Sequence, residues 1–277
     1  MSVEDNIQLI QAAFHKTKAT RSLSEFESVI SKYVSETPNE YVSVLYEGAS
    51  IGIALESFKN GNSVIDWLPF YESYRADHSS QILVGLGWAL FENEPSLALA
   101  LDFLDPRQKW RVLDGYGFCY GLLRRGTSIR QQLIPETLQT SWYSAYYQGL
   151  GRSLWYISRG SVKHLVRMIK LFPSEFHSDL WRGAGIAINY VGGINTGVLS
   201  EIERVVDIHL PSFKCGAAIA IHSRKQAHSF SKDTLLVVRF FSINIEAAIK
   251  NVEDIECSVY TTISEYGESL KFHDFDF

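Results

Sequence analysis

The stretch Gln148-Gly149-Leu150-Gly151-Arg152-Ser153 is one of six copies of a block in which glycine, alanine, serine or cysteine recurs at every second position. The leading glycines are separated by 37, 30, 34, 34 and 33 residues, and they are Gly48, Gly85, Gly115, Gly149, Gly183 and Gly216. A fixed period of this size is typical of helical-hairpin repeats. The sequence therefore predicts an all-α fold of about six repeats of ~33 residues, a superhelix that can curl around a cavity.

When a block is wound onto a helix, its small residues fall on two flanks. Taking the residue before the leading glycine as position 0, positions 1 and 5 share one flank and position 3 lies on the other. Small residues there allow neighbouring helices to approach closely. Positions 2 and 6 are apolar or aromatic in every copy and are predicted to pack on a partner helix. Positions 0, 4 and 7 are left to face the concave surface of the superhelix.

The repeats are predicted to form one domain over 1–277. Residues 1–40 form two capping helices, 41–250 hold the repeats, and 251–277 form a C-terminal cap with an acidic tail. Two outer segments are predicted as separate helices: 64–74, ahead of the block helix 79–92, and 234–250. Pro, Ser and Asp at the segment starts suit helix N-termini.

Composition restricts the classes of partner. With 26 basic and 31 acidic residues the net charge is −5, which argues against a nucleic-acid partner. No apolar run is long enough to span a membrane. Three widely spaced cysteines suit a reducing compartment, and residues 1–5 lack the basic start of a signal peptide, so we expect a cytoplasmic protein. The oligomeric state is left open.

Two motifs mimic known catalytic signatures. Gly48-Ala49-Ser50-Ile51-Gly52 matches the Gly-x-Ser-x-Gly elbow of hydrolases, and four other copies contain Gly-x-Gly. Both signatures require a strand before the turn, whereas the pattern here is helical throughout. We therefore expect close helix packing as the role of these residues, and no metal, flavin, haem or nicotinamide cofactor.

The face formed by positions 0, 4 and 7 mixes charged and aromatic residues. Such a mixture is typical of a small-molecule site with apolar walls and a few fixed polar groups. It is equally compatible with a salt-bridge network that ties the superhelix together. On the first interpretation, the candidate catalytic residues are Asp114, Glu47, Arg152 and Arg182. The candidate substrate-binding residues are Trp88, Phe118, Gln148, Trp155, Asn189 and His222. Asp114 is the preferred acid or base, and the arginines are expected to hold an anionic or carbonyl oxygen.

Several of these blocks resemble those of a bacterial family. The blocks are Asp114-Gly115-Tyr116-Gly117-Phe118, Trp181-Arg182-Gly183-Ala184-Gly185 and, most specifically, Gln148-Gly149-Leu150-Gly151-Arg152-Ser153-Leu154-Trp155. Members of that family are labelled enediyne biosynthesis proteins and sit in gene clusters for polyketides and other specialised metabolites. The resemblance covers about 40–225, with Cys119 standing where the family has a histidine. It implies a pathway and leaves the reaction open.

Two function classes follow. One is a cofactor-independent enzyme that cyclises or isomerises a hydrophobic, polyketide-like or isoprenoid-like intermediate. The other is a non-catalytic scaffold or binding protein for a biosynthetic partner or product. An enzyme is expected to enclose a cavity with an unpaired acid or base, and a scaffold to show an open groove with its charges paired.

Overall fold

The computed structural model describes residues 1–61 and 64–254, and within them the chain is helical without any strand. The predicted all-α helical-repeat fold is thus confirmed. In this described part, the six blocks lie on six consecutive inner helices: α3 (Val42–Lys59), α4 (Leu68–Glu92), α6 (Pro106–Leu123), α7 (Tyr143–Ser158), α9 (His177–Val191) and α11 (Leu210–Gln226). Each inner helix packs along the next one in chain order.

The other helices precede, connect or follow the inner ones: α1 (Val3–Thr17), α2 (Leu23–Ser35), α5 (Leu97–Asp102), α8 (Val162–Ile169), α10 (Thr196–Val206) and α12 (Lys232–Phe240). Serine and aspartate side chains cap the start of several helices of the fold. Ser22, Ser161 and Ser231 each accept a hydrogen bond from the backbone three residues on, and Asp105 forms a capping box with Gln108. These caps satisfy N–H groups that the first turn of a helix cannot pair itself.

Two predicted helix boundaries were wrong. The segments 64–74 and 79–92 belong largely to one helix, α4, which bends at His78, where φ is −128° and ψ is 16°. The predicted helix 234–250 is instead split, because the chain turns after Phe240 through Ser242 (φ +54°) and a new helical segment covers 245–254. Of the predicted C-terminal cap and acidic tail, 251–277, residues 255–277 lie outside the described residues.

The small residues hold the inner helices at backbone contact, in a register that repeats. A Cβ on Gly149 would overlap the carbonyl oxygen of Asp114, which is position 0 of the preceding copy. A Cβ on Gly151 would overlap the carbonyl of Leu180 on the following helix. The same relation recurs for the leading glycine of copies two to six and for the second glycine of copies two to five. One flank therefore contacts the previous helix and the other contacts the next, as the spacing predicts.

Ser50 occupies the position of the second glycine in the first copy. Its hydroxyl donates to the carbonyl of Ile82 at 2.6 Å and accepts from the indole N–H of Trp67 at 2.8 Å. Both partners belong to the packing of α3 against its neighbours, and Ser50 is fully buried. The Gly-x-Ser-x-Gly match is accordingly a helix contact, and no nucleophile is presented there.

The stack of inner helices curls until its ends meet. The hydroxyl of Tyr41, just before α3, donates to the carbonyl of Val191 at the end of α9, at 2.8 Å. From α11, the guanidinium of Arg224 donates to the carbonyls of Glu40 and Tyr190 at 3.1 and 2.5 Å. Helix α1 packs on α3 and contacts α9 as well, so it crosses the space that the curl encloses.

Candidate functional site

A cavity of about 430 Å³ lies between α1 and the concave side of the inner helices. Its interior is lined by apolar and aromatic side chains with two charged groups among them. Exposed residues of α1 and of the C-terminal ends of α6 and α7 surround its mouth. The interior residues include Ile7, Ile10, Phe14, Val44, Glu47, Trp88, Phe118, Arg152, Tyr156 and Tyr190. A volume of this size suits a small organic molecule.

Glu47 brings a carboxyl group into this apolar chamber from α3. Glu47 is 7% exposed, and among the described residues no group donates a hydrogen bond to its carboxyl. Burial raises the pKa of Glu47 from its ordinary value of 4.5 to about 7, with Arg152 opposing and Asp114 adding to the rise. A carboxyl with this pKa exchanges protons at neutral pH, as a general acid or base requires.

Arg152 supplies the second charge of the chamber, from α7. One nitrogen of its guanidinium, Nη1, donates to Asp114 Oδ2, and the group lies over the Phe118 ring, 4.6 Å from its centroid. Its Nη2 makes no hydrogen bond within the described residues. Burial lowers the pKa of Arg152 while Asp114 and Glu47 raise it, with a net increase, so the group stays cationic.

Behind Arg152, a chain of buried polar groups leads away from the cavity. Asp114 Oδ1 accepts from Gln148 Nε2 at 2.9 Å, and Gln148 Oε1 accepts from Arg182 Nε at 2.5 Å. Arg182 also donates to Asp179 Oδ1 at 2.7 Å and to the Ser144 hydroxyl at 3.0 Å. Because both carboxylate oxygens of Asp114 are bonded, this chain holds Arg152 in place.

Aromatic rings form the walls of the chamber. The Trp88 ring contacts Phe118 edge-on, with centroids 5.5 Å apart, and contacts Phe14 of α1 at 5.1 Å. Phe118 also packs against Tyr156, at 5.1 Å. Burial raises the pKa of the Tyr156 hydroxyl and brings that of Tyr190 to about 12. Both phenols therefore remain protonated at neutral pH and can donate hydrogen bonds.

The sequence-predicted site residues separate into three groups. Glu47, Trp88, Phe118 and Arg152 line the cavity together. Asp114, Gln148 and Arg182 form the polar chain behind it. The remaining three lie elsewhere: Trp155 is fully buried outside the lining, Asn189 donates to the Ala217 carbonyl at 3.2 Å, and His222 Nε2 lies 3.7 Å from Glu253 Oε1.

Sequence reasoning missed much of the lining, above all two parts of it. One is position 8 of the block, which contributes Leu122, Tyr156 and Tyr190 in three successive copies. Position 8 lies four residues after position 4 and shares its face, so a longer reading of the period would have included it. The other is α1, which carries no block. Its apolar face has the 3.6-residue period, but nothing in the sequence indicates what that face covers.

Two absences hold for residues 1–61 and 64–254. No three His, Cys, Asp or Glu side chains come together as a metal site would require. The helices there also lack the combination of length and apolar content that crossing a bilayer demands.

The chain belongs to a family described as "protein of unknown function (DUF1702)", whose profile matches residues 6–266. No curated protein sequence and no solved structure matches the chain. The family match spans all six inner helices, together with nearly all of α1, which closes the cavity.

Proposed function

We propose that this member of the DUF1702 family is a cofactor-independent enzyme that moves a proton on a hydrophobic intermediate. Its reaction is an isomerisation or a cyclisation, and the intermediate is polyketide-like or isoprenoid-like. The observation that carries the proposal is Glu47, an unpaired carboxyl of pKa about 7 beside the fixed cation Arg152 in an aromatic chamber. A chamber that holds an unpaired acid supports the enzyme over the scaffold.

Each charged group has a role in the proposed step. The Glu47 carboxylate takes a proton from a carbon next to a carbonyl group of the substrate. The electron pair of the broken C–H bond forms a carbon–carbon double bond, and the π pair of the carbonyl moves to its oxygen, where the Arg152 guanidinium stabilises the enolate. In an isomerisation, Glu47 returns the same proton to a different carbon. In a cyclisation, the enolate carbon bonds to a second carbonyl carbon of the molecule, and the oxygen formed there takes the proton. Neither route consumes a co-reactant.

Asp114, the preferred acid or base from sequence, has a different role in this scheme. Its two oxygens are bonded to Gln148 and Arg152, and it does not line the cavity. We therefore assign it to positioning Arg152 and transfer the proton-moving role to Glu47.

The test is complementation of a deletion strain with metabolite profiling. Glu47→Gln keeps the shape of the side chain and removes the titrating group, so we expect the product to disappear at unchanged protein level. The matched control is Glu56→Gln, nine residues further along α3 on a partly exposed surface, which should restore full product. Full product from Glu47→Gln would overturn the proposal and favour the scaffold or binding-protein alternative.

A further inference from the structure

We infer that the ligand of this cavity is an amphipathic monoanion, with a flat conjugated body inside the chamber and its acidic group at the mouth beside Arg125. The inference rests on the proposed function, because it names the ligand class of the same site. It is drawn from three observations: the charges around the cavity, the composition of the mouth and the aromatic walls.

The cations that line the cavity outnumber their carboxylate partners by one. Arg152 pairs with Asp114, Lys18 with Glu92 at 2.8 Å, and Arg159 with Glu4 at 3.0 Å. The fourth cation, Arg125, has no carboxylate partner within the described residues. Its Nε donates to the Leu122 carbonyl at 3.2 Å.

Burial disfavours the ionised form of Glu47, so at neutral pH its carboxyl offsets this excess only in part. The site thus has room for one negative charge, in a chain whose net charge is −5. A localised positive site on an acidic protein selects an anion against the background field.

The mouth combines this cation with apolar surface. Leu123, 57% exposed, lies two residues before Arg125, and both line the opening. Further in, Phe14, Trp88 and Phe118 line the chamber, with edge-on and tilted contacts between their rings. A ligand that extends from the chamber to the mouth therefore contacts aromatic side chains first and a guanidinium last. This order fits a conjugated body that ends in a carboxylate or a similar acid.

Two probes with the same aromatic body separate charge from shape. Anilinonaphthalene sulfonate carries one negative charge, and N-phenyl-naphthylamine carries none. We expect the sulfonate to bind about fivefold more tightly, as a single surface ionic contact allows, and to lose that advantage when ionic strength rises from about 0.01 M to about 1 M. Fluorescence titration measures both affinities.

Three variants test whether the tighter binding of the sulfonate depends on the mouth of the cavity. Arg125→Gln should remove the fivefold advantage of the sulfonate and leave the neutral probe unchanged. Its neighbour Arg124→Gln, whose guanidinium lies over Phe91 away from the cavity, is the control and should change neither affinity. Gln11→Trp, a substitution on the exposed rim of α1, should weaken both probes and so confirm that they occupy this cavity.

Glu47→Gln separates this inference from the proposed reaction, because it should abolish product while both probes still bind. Equal binding of the two probes, or an Arg125→Gln variant that keeps the advantage of the sulfonate, would overturn the inference and leave the proposed reaction standing. Loss of product in Arg125→Gln alone would support the inference further.

Discussion

Glu47 and Asp114 are two carboxylates at the same position of their blocks, on helices α3 and α6, yet their surroundings differ completely. Asp114 is 2% exposed, and both of its carboxylate oxygens accept hydrogen bonds from side chains of the next inner helix, α7. Glu47 is nearly as buried, but it lines the cavity and, among the described residues, its carboxyl receives no hydrogen bond. The repeat thus places one carboxylate in a paired chain and the other in an unpaired site.

The residue at the same position of the next copy decides whether such a carboxylate finds a polar partner. Asp114 is followed by copies with Gln148 and Arg182 at the same position, so three consecutive helices supply complementary groups. Glu47 is followed by Val84, an apolar residue that cannot pair with it. An unpaired buried acid is costly for folding, which is why such groups concentrate at functional sites.

The largest effect is expected from a substitution that separates the helices at Asp114. In Gly149→Ala, the new Cβ would overlap the Asp114 carbonyl, so α7 must move off α6. We expect a loss of about 4–5 kcal/mol in the free energy of unfolding, despite the gain in helix propensity. Chemical denaturation measures it. Gly126→Ala, where nothing lies within 4 Å of the new Cβ, is the control and should stay within about 0.5 kcal/mol.

Removing the charge of Asp114 should have the next largest effect. Asp114→Asn leaves Arg152 buried without its carboxylate, which costs about 3–4 kcal/mol. The loss should be smallest at a pH where Glu47 ionises and partly replaces the missing charge. Denaturation at several pH values measures this. A variant as stable as the parent would show that the pair contributes nothing and would remove the contrast with Glu47.

The pH dependence of the free energy of unfolding tests whether Glu47 is an unpaired buried acid. The folded state holds the Glu47 proton up to a pH of about 7, whereas the unfolded chain releases it near 4.5. The native state therefore binds more protons between these values, and stability falls as pH rises through that window, by up to about 3 kcal/mol. Glu47→Gln should lose this slope and be the more stable protein at pH 8. An unchanged slope would show that Glu47 is not the titrating group.

The repeat made much of this arrangement predictable, and its limits are physical. A period of small residues fixes which helices touch, so the all-α fold and the common face of Glu47, Asp114 and Arg152 follow from spacing alone. Spacing cannot tell which polar groups on that face bond each other, because this depends on how tightly the stack curls. It also cannot place α1, whose position comes from long-range contacts such as Asn6 with the Val191 carbonyl.

The smallest effect concerns the outer end of the polar chain. The Ser144 hydroxyl donates to Asp179 at 2.6 Å and accepts from Arg182, while the ion pair between those two residues is direct. Ser144→Ala should therefore cost about 1 kcal/mol, the value of one partly buried hydrogen bond.

Its coupling to Asp114 is the informative quantity. If Arg182 fixes the orientation of Gln148, and Gln148 in turn fixes Asp114, then loosening Arg182 weakens the bond between Gln148 and Asp114. In a double-mutant cycle with Asp114→Asn, the double mutant should then lose less unfolding free energy than the two single mutants lose together. We expect this difference to be about 0.5 kcal/mol or more. Strict additivity would mean that Asp114 is held by Arg152 and Gln148 alone, and that the polar groups beyond α7 do not affect it.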